Sequence, residues 1–377
     1  MKLTTSPRWP APAQYHQSMN RRLLAASRDV AGPIASLGLV AVWWGQTING
    51  WQAGLVVALL IGGIVSSVRH ADMVAARVGR VWGAIVLALA VTVIELSIII
   101  PVLLTGGSAG ATLGRDTVFA AVILATNGII GLSVVTATRR SPTSSFNSEG
   151  SGAALGAIAT IATLSLVLPS FAESEPSPAP LDTFGLVFIS VAAVGTYVLF
   201  LYILTVRNTE HFEDVETRAI RIPRQDPPRL VYSLTLLFVS LAAVIALAQS
   251  LSLTLEAAVT RAGLPISSVA VILAALILLP EGTAAVRYAR AGNLQTSFNL
   301  GYGSALASIG LTIPTLAIVA AVFGVDVVFG LEPREIVIFF LTLLVSAITV
   351  ASHRVTLFQG GLHLVILSAY LLLAIRG

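Results

Sequence analysis

From residue 33 onward the chain repeats one pattern, a long apolar run followed by a short polar break. A helix needs about 20 predominantly apolar residues to cross a bilayer, and hydropathy places such runs at 33–47, 51–68, 82–104, 117–137, 152–169 and 183–206. A polar break at 207–229 precedes five more, at 230–250, 264–289, 296–323, 335–351 and 355–375. A transmembrane β-barrel would instead show segments of roughly 10 residues in strict alternation, and the chain has none. The pattern predicts an all-α polytopic membrane protein with eleven transmembrane helices. Its expected parts are a cytoplasmic tail (1–32), a first helix with its short connection (33–50), five helices (51–206), a cytoplasmic loop (207–229) and five further helices (230–377).

Charge tests this layout, because cytoplasmic loops collect Arg and Lys. With the N-terminus inside, the inside segments hold Lys2, Arg8, Arg21, Arg22, Arg28, Arg69, Arg77, Arg80, Arg139, Arg140, Arg207, Arg218, Arg221, Arg224, Arg229, Arg287, Arg290 and Arg354. Of the 22 basic residues only Arg115, Arg261, Arg334 and Arg376 remain outside. A miscount of one helix would scramble that alternation. The basic residues spread through the first 32 positions also argue against a cleaved signal peptide.

Parity then adds symmetry. Once the first helix is set aside, five spans, a loop and five spans remain, and odd-numbered repeats enter the membrane in opposite directions. Aligning Glu95 with Glu281 puts the third span on the eighth, and "NGIIGL" (127–132) meets "LASIGL" (306–311) after a seven-residue loop difference. The expectation is one N-terminal helix plus two inverted five-helix repeats.

Composition narrows the chemistry. The chain is 56% hydrophobic and 11% charged, with a net charge of +4 and no cysteine. Disulfides and thiolate metal or redox sites are therefore excluded. The small basic excess is dispersed over loops, so it reports orientation rather than nucleic-acid binding. Lipid and small cations are the expected partners, with no cofactor.

Of eighteen Asp and Glu residues, sixteen fall in predicted loops, tails or helix ends, Asp116, Glu332 and Glu335 among them. Glu95 and Glu281 lie well inside spans. A charge at the bilayer centre costs about 3 kcal/mol on insertion scales, so such groups face a cavity, a partner or a substrate path. A structural hydrogen bond by a protonated Glu competes with that reading. Pro101 follows Glu95 by six residues, and Pro280 and Gly282 flank Glu281, so broken helices that free backbone carbonyls are expected at both acids. Two carboxylates and such carbonyls make an oxygen-lined cation site. An empty pair in a dry pocket takes up protons, and a bound cation expels them. That competition is the chemistry of a proton-coupled antiporter.

Helical spacing nominates further oxygen donors. Thr92 shares a face with Glu95, Thr126 and Asn127 lie in the fourth span, and Ser304 and Ser308 lie in the ninth. Close helix packing by small residues competes with ligation for the two serines. His70 and Asp72, at the cytoplasmic end of the second span, could relay protons, although a hydrogen-bonded structural role also suits a histidine. His363 lies within the last span. An intramembrane enzyme using the two carboxylates as acid and base is the rival from another class, but no HExxH motif supports it.

At these residues the chain resembles the Ca2+:cation antiporter superfamily, in its cation/proton exchanger branch, and especially the bacterial ChaA-type calcium (sodium, potassium)/proton antiporters. The similar stretches include "LALAVTVIELSIII" (87–100), "RDTVFAAVILATNGIIGLS" (115–133), "LILLPEGTAAV" (276–286) and "QTSFNLGYGSALASIGLTIP" (295–314). The resemblance implies that Glu95 and Glu281 are the acids of the two repeat motifs. It also implies a bacterial inner-membrane protein that expels calcium in exchange for protons. The wider family favours a Gly-Asn pair before each acid, where this chain has Val91 and Thr92, then Ile277 and Leu278. A sodium or potassium/proton antiporter of the same fold is the alternative.

Overall fold

A computed structural model describes residue 38 and residues 50–78, 80–105, 107–139, 141–171, 183–208, 230–265 and 267–376. The predicted tail 1–32, the span at 33–47 and nearly all of the 207–229 loop lie outside the described residues.

The apolar runs fold as helices: α1 (Gly50–Val78), α2 (Arg80–Thr105), α3 (Gly107–Ile123), α4 (Ile130–Thr138), α5 (Ser148–Ala162) and α6 (Thr183–Tyr202). After the central loop come α7 (Leu230–Arg261), α8 (Ser267–Ile277), α9 (Leu279–Arg290), α10 (Leu294–Ala307), α11 (Ile313–Phe323), α12 (Pro333–Ala351) and α13 (Leu357–Arg376). Among the described residues eight segments are long and apolar enough to cross a membrane singly, and α8 with α9 forms a ninth, bent by 53°. The 82–104 run falls on α2.

Loop contacts sort the helix ends into two groups. At one end, β1 (Ser144–Ser145) pairs antiparallel with β2 (Arg354–Val355), and Asn147 N donates to Gln295 Oε1. At the other, the Val328 amide bonds the Ala111 carbonyl and the Leu331 amide bonds the Leu166 carbonyl. Ser268 there reaches the Ala374 carbonyl. Each group joins loops of a single predicted side.

Two apolar clusters hold the bundle together. In the smaller, Val56, Leu60 and Ile64 of α1 pack with Leu237, Leu241 and Val244 of α7. The larger gathers buried side chains from α2 to α6 and from α8 to α13, including Phe119, Phe298, Phe329 and Phe339. Without water between lipid-embedded helices, close contact replaces the hydrophobic effect, and small residues permit it. A Cβ at Gly360 would lie 2.9 Å from Val135 Cγ2 and 3.0 Å from the Val135 amide nitrogen. Gly360→Ala is therefore expected to destabilise the protein by about 1–3 kcal/mol, read as a lower Tm in detergent; an unchanged Tm would show that α13 can move away.

The breaks fall partly where the prolines predict. The chain bends between Ile277 and Leu279, next to Pro280, but α2 runs through Pro101 to Thr105. A proline removes one donor and strains the turn before it, yet α2 continues beyond Pro101 to Thr105. Two other spans are interrupted by π-helical turns between helices, at Leu124–Ile129, between α3 and α4, and at Ser308–Thr312, between α10 and α11, and further π-helical turns end α5 (Thr163–Val167) and α6 (Ile203–Arg207). The two between helices each contain a glycine, Gly128 or Gly310, and such turns recur at functional sites.

The span at 117–137 begins earlier than hydropathy predicts, with α3 starting at Gly107. Arg115 and Asp116, expected outside the core, are each only 5% exposed. Hydropathy penalises both charges, whereas the fold buries them as a neutralising pair.

Candidate cation site

Glu95 is 2% exposed. Its Oε1 accepts a hydrogen bond from Ser308 Oγ at 2.7 Å, and its Oε2 accepts one from Thr312 Oγ1 at 2.6 Å. Both hydroxyls belong to the π-helical turn that ends α10, so local backbone geometry in one half addresses the acid of the other. The two partners are neutral. They satisfy the oxygens without cancelling a charge, which leaves that task to a proton or a cation.

Glu281 is 6% exposed and lies in the first turn of α9, just after the 53° bend. It lines a cavity of about 160 Å³ together with Val91, Asn299, Ser304, Tyr197 and Phe200. Val91 precedes Glu95 by one helical turn, and Ser304 precedes Ser308 by one. The cavity therefore reaches the level just below the Glu95 carboxyl, on the same helix faces. The lining is mostly apolar, which strengthens any electrostatic contact made inside it.

The other nominated residues divide. Ser308 meets Glu95 and Ser304 shares the cavity with Glu281, while Thr92 is buried on the Glu95 helix. Thr126 and Asn127 are drawn elsewhere. Thr126 Oγ1 donates to the Val122 carbonyl at 2.6 Å. Asn127 Nδ2 donates to Thr342 Oγ1 at 2.9 Å, and Asn127 Oδ1 lies 3.1 Å from His363 Nδ1. Their bonds reach neither glutamate. His70 is buried; the side chain of Asp72 lies outside the described residues.

Three groups were missed by sequence reasoning. Thr312 is four residues after Ser308, a spacing that could have nominated it. Asn299 enters the Glu281 cavity with its Oδ1 accepting from Gln295 Nε2 at 2.9 Å. At the other end of the bundle, Arg115, Asp116, Glu332 and Glu335 line a second cavity of about 210 Å³. No group of three or more His, Cys, Asp or Glu that could hold a metal ion occurs among the described residues.

Comparison with known proteins supplies the family. The model of the family described as "Sodium/calcium exchanger protein" matches residues 49–206 and 232–376. The chain belongs to this family. The protein is thus a multi-pass membrane cation exchanger, a secondary transporter rather than an enzyme. It is 43% identical over 317 residues to y4hA of Sinorhizobium fredii (strain NBRC 101917 / NGR234), whose name assigns it provisionally to ionic transport; the match covers 84% of this chain and 86% of that protein. It is 29% identical over 350 residues to the sodium-potassium/proton antiporter ChaA of Escherichia coli (strain K12), covering 90% and 94% respectively. Among solved structures, native YfkE aligns with a TM-score of 0.70 at 16% identity, covering 93% of this exchanger and 99% of YfkE. The H+/Ca2+ exchanger CAX aligns at 0.65 and 14%, covering 94% and 92%.

Proposed function

We propose that this exchanger moves calcium out of the cytosol in return for protons, with Glu95 and Glu281 carrying either the cation or protons through an alternating-access cycle. What supports this most is the Glu95 carboxyl, buried and held only by the neutral hydroxyls of Ser308 and Thr312, one turn from the cavity that contains Glu281. A carboxyl in that setting is neutralised by whatever cation or proton arrives. Hydroxyl and carboxylate oxygens suit a hard cation. We place the protein in a bacterial inner membrane with its N-terminus in the cytoplasm. Its helices are assigned as one N-terminal helix followed by two inverted five-helix repeats, each with a π-helical turn in its third span. On this assignment the Glu281 cavity lies toward the cytoplasm and the Arg115–Asp116 pair toward the outside.

A second reading, exchange of sodium or potassium for protons, is favoured by the likeness to ChaA along nearly the whole chain and by the neutral donors around Glu95. One assay separates the two. Proteoliposomes with a preset pH gradient are expected to lose it on addition of calcium; dissipation by sodium or potassium alone would select the second reading. Glu281→Gln keeps size and hydrogen bonding but cannot bind or release the proton. It is expected to bring cation-driven proton movement down to that of protein-free vesicles, and exchange at the wild-type rate would overturn the role of Glu281.

A further inference from the structure

The first turns of α10 carry a chain of two side-chain amides whose orientations are fixed from one end. A backbone N–H only donates, so the Asn147 amide, 2.7 Å away, meets the oxygen of Gln295, Oε1. The Gln295 amino group is thereby turned the other way. Its Nε2 donates to Asn299 Oδ1 at 2.9 Å and lies 3.5 Å from Ser151 Oγ. A donor must meet an acceptor, so Asn299 too is held by its oxygen. Neither amide can be flipped without breaking this chain of bonds.

The residue that starts the chain is itself anchored. Asn147 caps α5, its Oδ1 accepting from the Glu149 amide at 2.9 Å and the Gly150 amide at 3.3 Å. The preceding Phe146 is buried, its ring centroid 4.7 Å from that of Phe298 in α10. Just before Phe146, β1 pairs with β2. Gln295 is only 1% exposed and lies one helical turn before Asn299 on the same face of α10. A loop backbone thus dictates, through Gln295, which end of the Asn299 amide is committed at the Glu281 cavity that Asn299 helps to line.

Calcium takes roughly six to eight oxygen ligands. Among the residues lining this cavity only Tyr197, Glu281, Asn299 and Ser304 carry side-chain oxygens. The Asn299 oxygen is the one side-chain amide carbonyl of that set, and Gln295 has engaged it. The Gln295 N–H offsets the partial charge of that oxygen and keeps it turned toward Gln295. What Asn299 retains is its amino group, which only donates. We propose that Gln295 is a positioning residue that sets cation specificity: by holding Asn299 through its oxygen, it withholds an amide ligand from the Glu281 cavity. The loss falls harder on calcium than on a monovalent cation, because attraction to an oxygen dipole grows with ionic charge. This rests on the proposed role of Glu281 as a cation carrier.

Initial exchange rates in proteoliposomes, titrated with calcium and in parallel with sodium, test the proposal. Gln295→Glu keeps an oxygen for the Asn147 amide but replaces the amino group by a second acceptor, which Asn299 can meet only with Nδ2. The Asn299 amide is then expected to turn its oxygen to the cavity. The apparent KM for calcium is expected to fall several-fold, with a smaller change for sodium. An added charge alone would lower KM whatever residue stands at 299, so the same change is made in an Asn299→Leu background, where the gain is expected to vanish. Gln295→Met frees the Asn299 oxygen without adding charge and is also expected to lower the calcium KM. A residue with a merely structural role would lose kcat or yield on substitution, with no gain in KM. A calcium KM at or above that of wild type in either Gln295 variant that folds would overturn the proposal, as would an equal gain in the Asn299→Leu background, while Glu281→Gln still abolishes exchange. Exchange by Glu281→Gln at the wild-type rate would instead remove the role of Glu281 on which the proposal rests.

Discussion

Glu95→Gln is expected to stop cation-driven proton movement altogether, to the background of protein-free vesicles, in a protein that still folds. The amide occupies the volume of the carboxyl, and its oxygen can still accept from one of Ser308 and Thr312. What it cannot do is alternate between a proton and a cation. The neighbouring hydroxyls give a graded control. Ser308→Ala and Thr312→Val each remove one 2.6–2.7 Å bond to the carboxyl, and a hydrogen bond to a charged group contributes about 1.5–3 kcal/mol. At 1.4 kcal/mol per factor of ten, each is expected to weaken cation affinity by roughly 10- to 100-fold while leaving exchange measurable at high cation concentration. Robust exchange by Glu95→Gln would show that the carboxyl is a structural hydrogen-bonding group. The paired measurement is initial rate against cation concentration in proteoliposomes, with circular dichroism and gel filtration establishing folding.

The second large effect is expected far from the glutamates. Arg115 Nη2 lies 2.6 Å from Asp116 Oδ1, and its Nε donates to the same oxygen at 2.7 Å. Arg115 Nη1 also donates to the Gly330 carbonyl. That carbonyl belongs to the extended segment between α11 and α12, whose Phe329 is fully buried and whose backbone is tied to Ala111 and Leu166. Removing one partner of a buried pair leaves the other charge uncompensated, which costs about 3–5 kcal/mol. Arg115→Met is expected to lower Tm sharply and to loosen the segment around Phe329, seen as faster amide exchange at Val328 and Leu331. The double variant Arg115→Met with Asp116→Leu is expected to recover most of the loss, because the Asp116 carboxylate is no longer left without its partner. If the double variant is as unstable as the single, the tie to Gly330 dominates rather than the ion pair.

Several of these residues illustrate how far a local reading extends. Glu95 and Glu281 stand out because hydropathy isolates a carboxylate from its apolar surroundings, and no partner is needed to notice it. Ser308 is found by helical spacing, yet Thr312, one turn further, completes the same contact and was passed over. Pro101 suggests a break that α2 does not make, while the π-helical turns at Leu124–Ile129 and Ser308–Thr312 carry no proline and only one glycine each. Asn127 looks like a cation ligand from its place in the fourth span. Its amide is instead committed to Thr342 and His363, which lie 215 and 236 residues away along the chain.

The sequence by itself determined roughly where the described membrane helices run, how charge is distributed among the polar breaks and which two acids are out of place, because those properties depend on residues within a single apolar run. Tertiary structure alone decided which hydroxyls meet which carboxyl, that Glu281 opens onto a cavity while Glu95 is enclosed one turn beyond it, and that Arg115 and Asp116 are buried together. The physical reason is range. Hydropathy and charge bias act on each segment against lipid and water, whereas the Glu95–Ser308 contact joins positions 213 residues apart and exists only once α2 packs against the π-helical turn after α10.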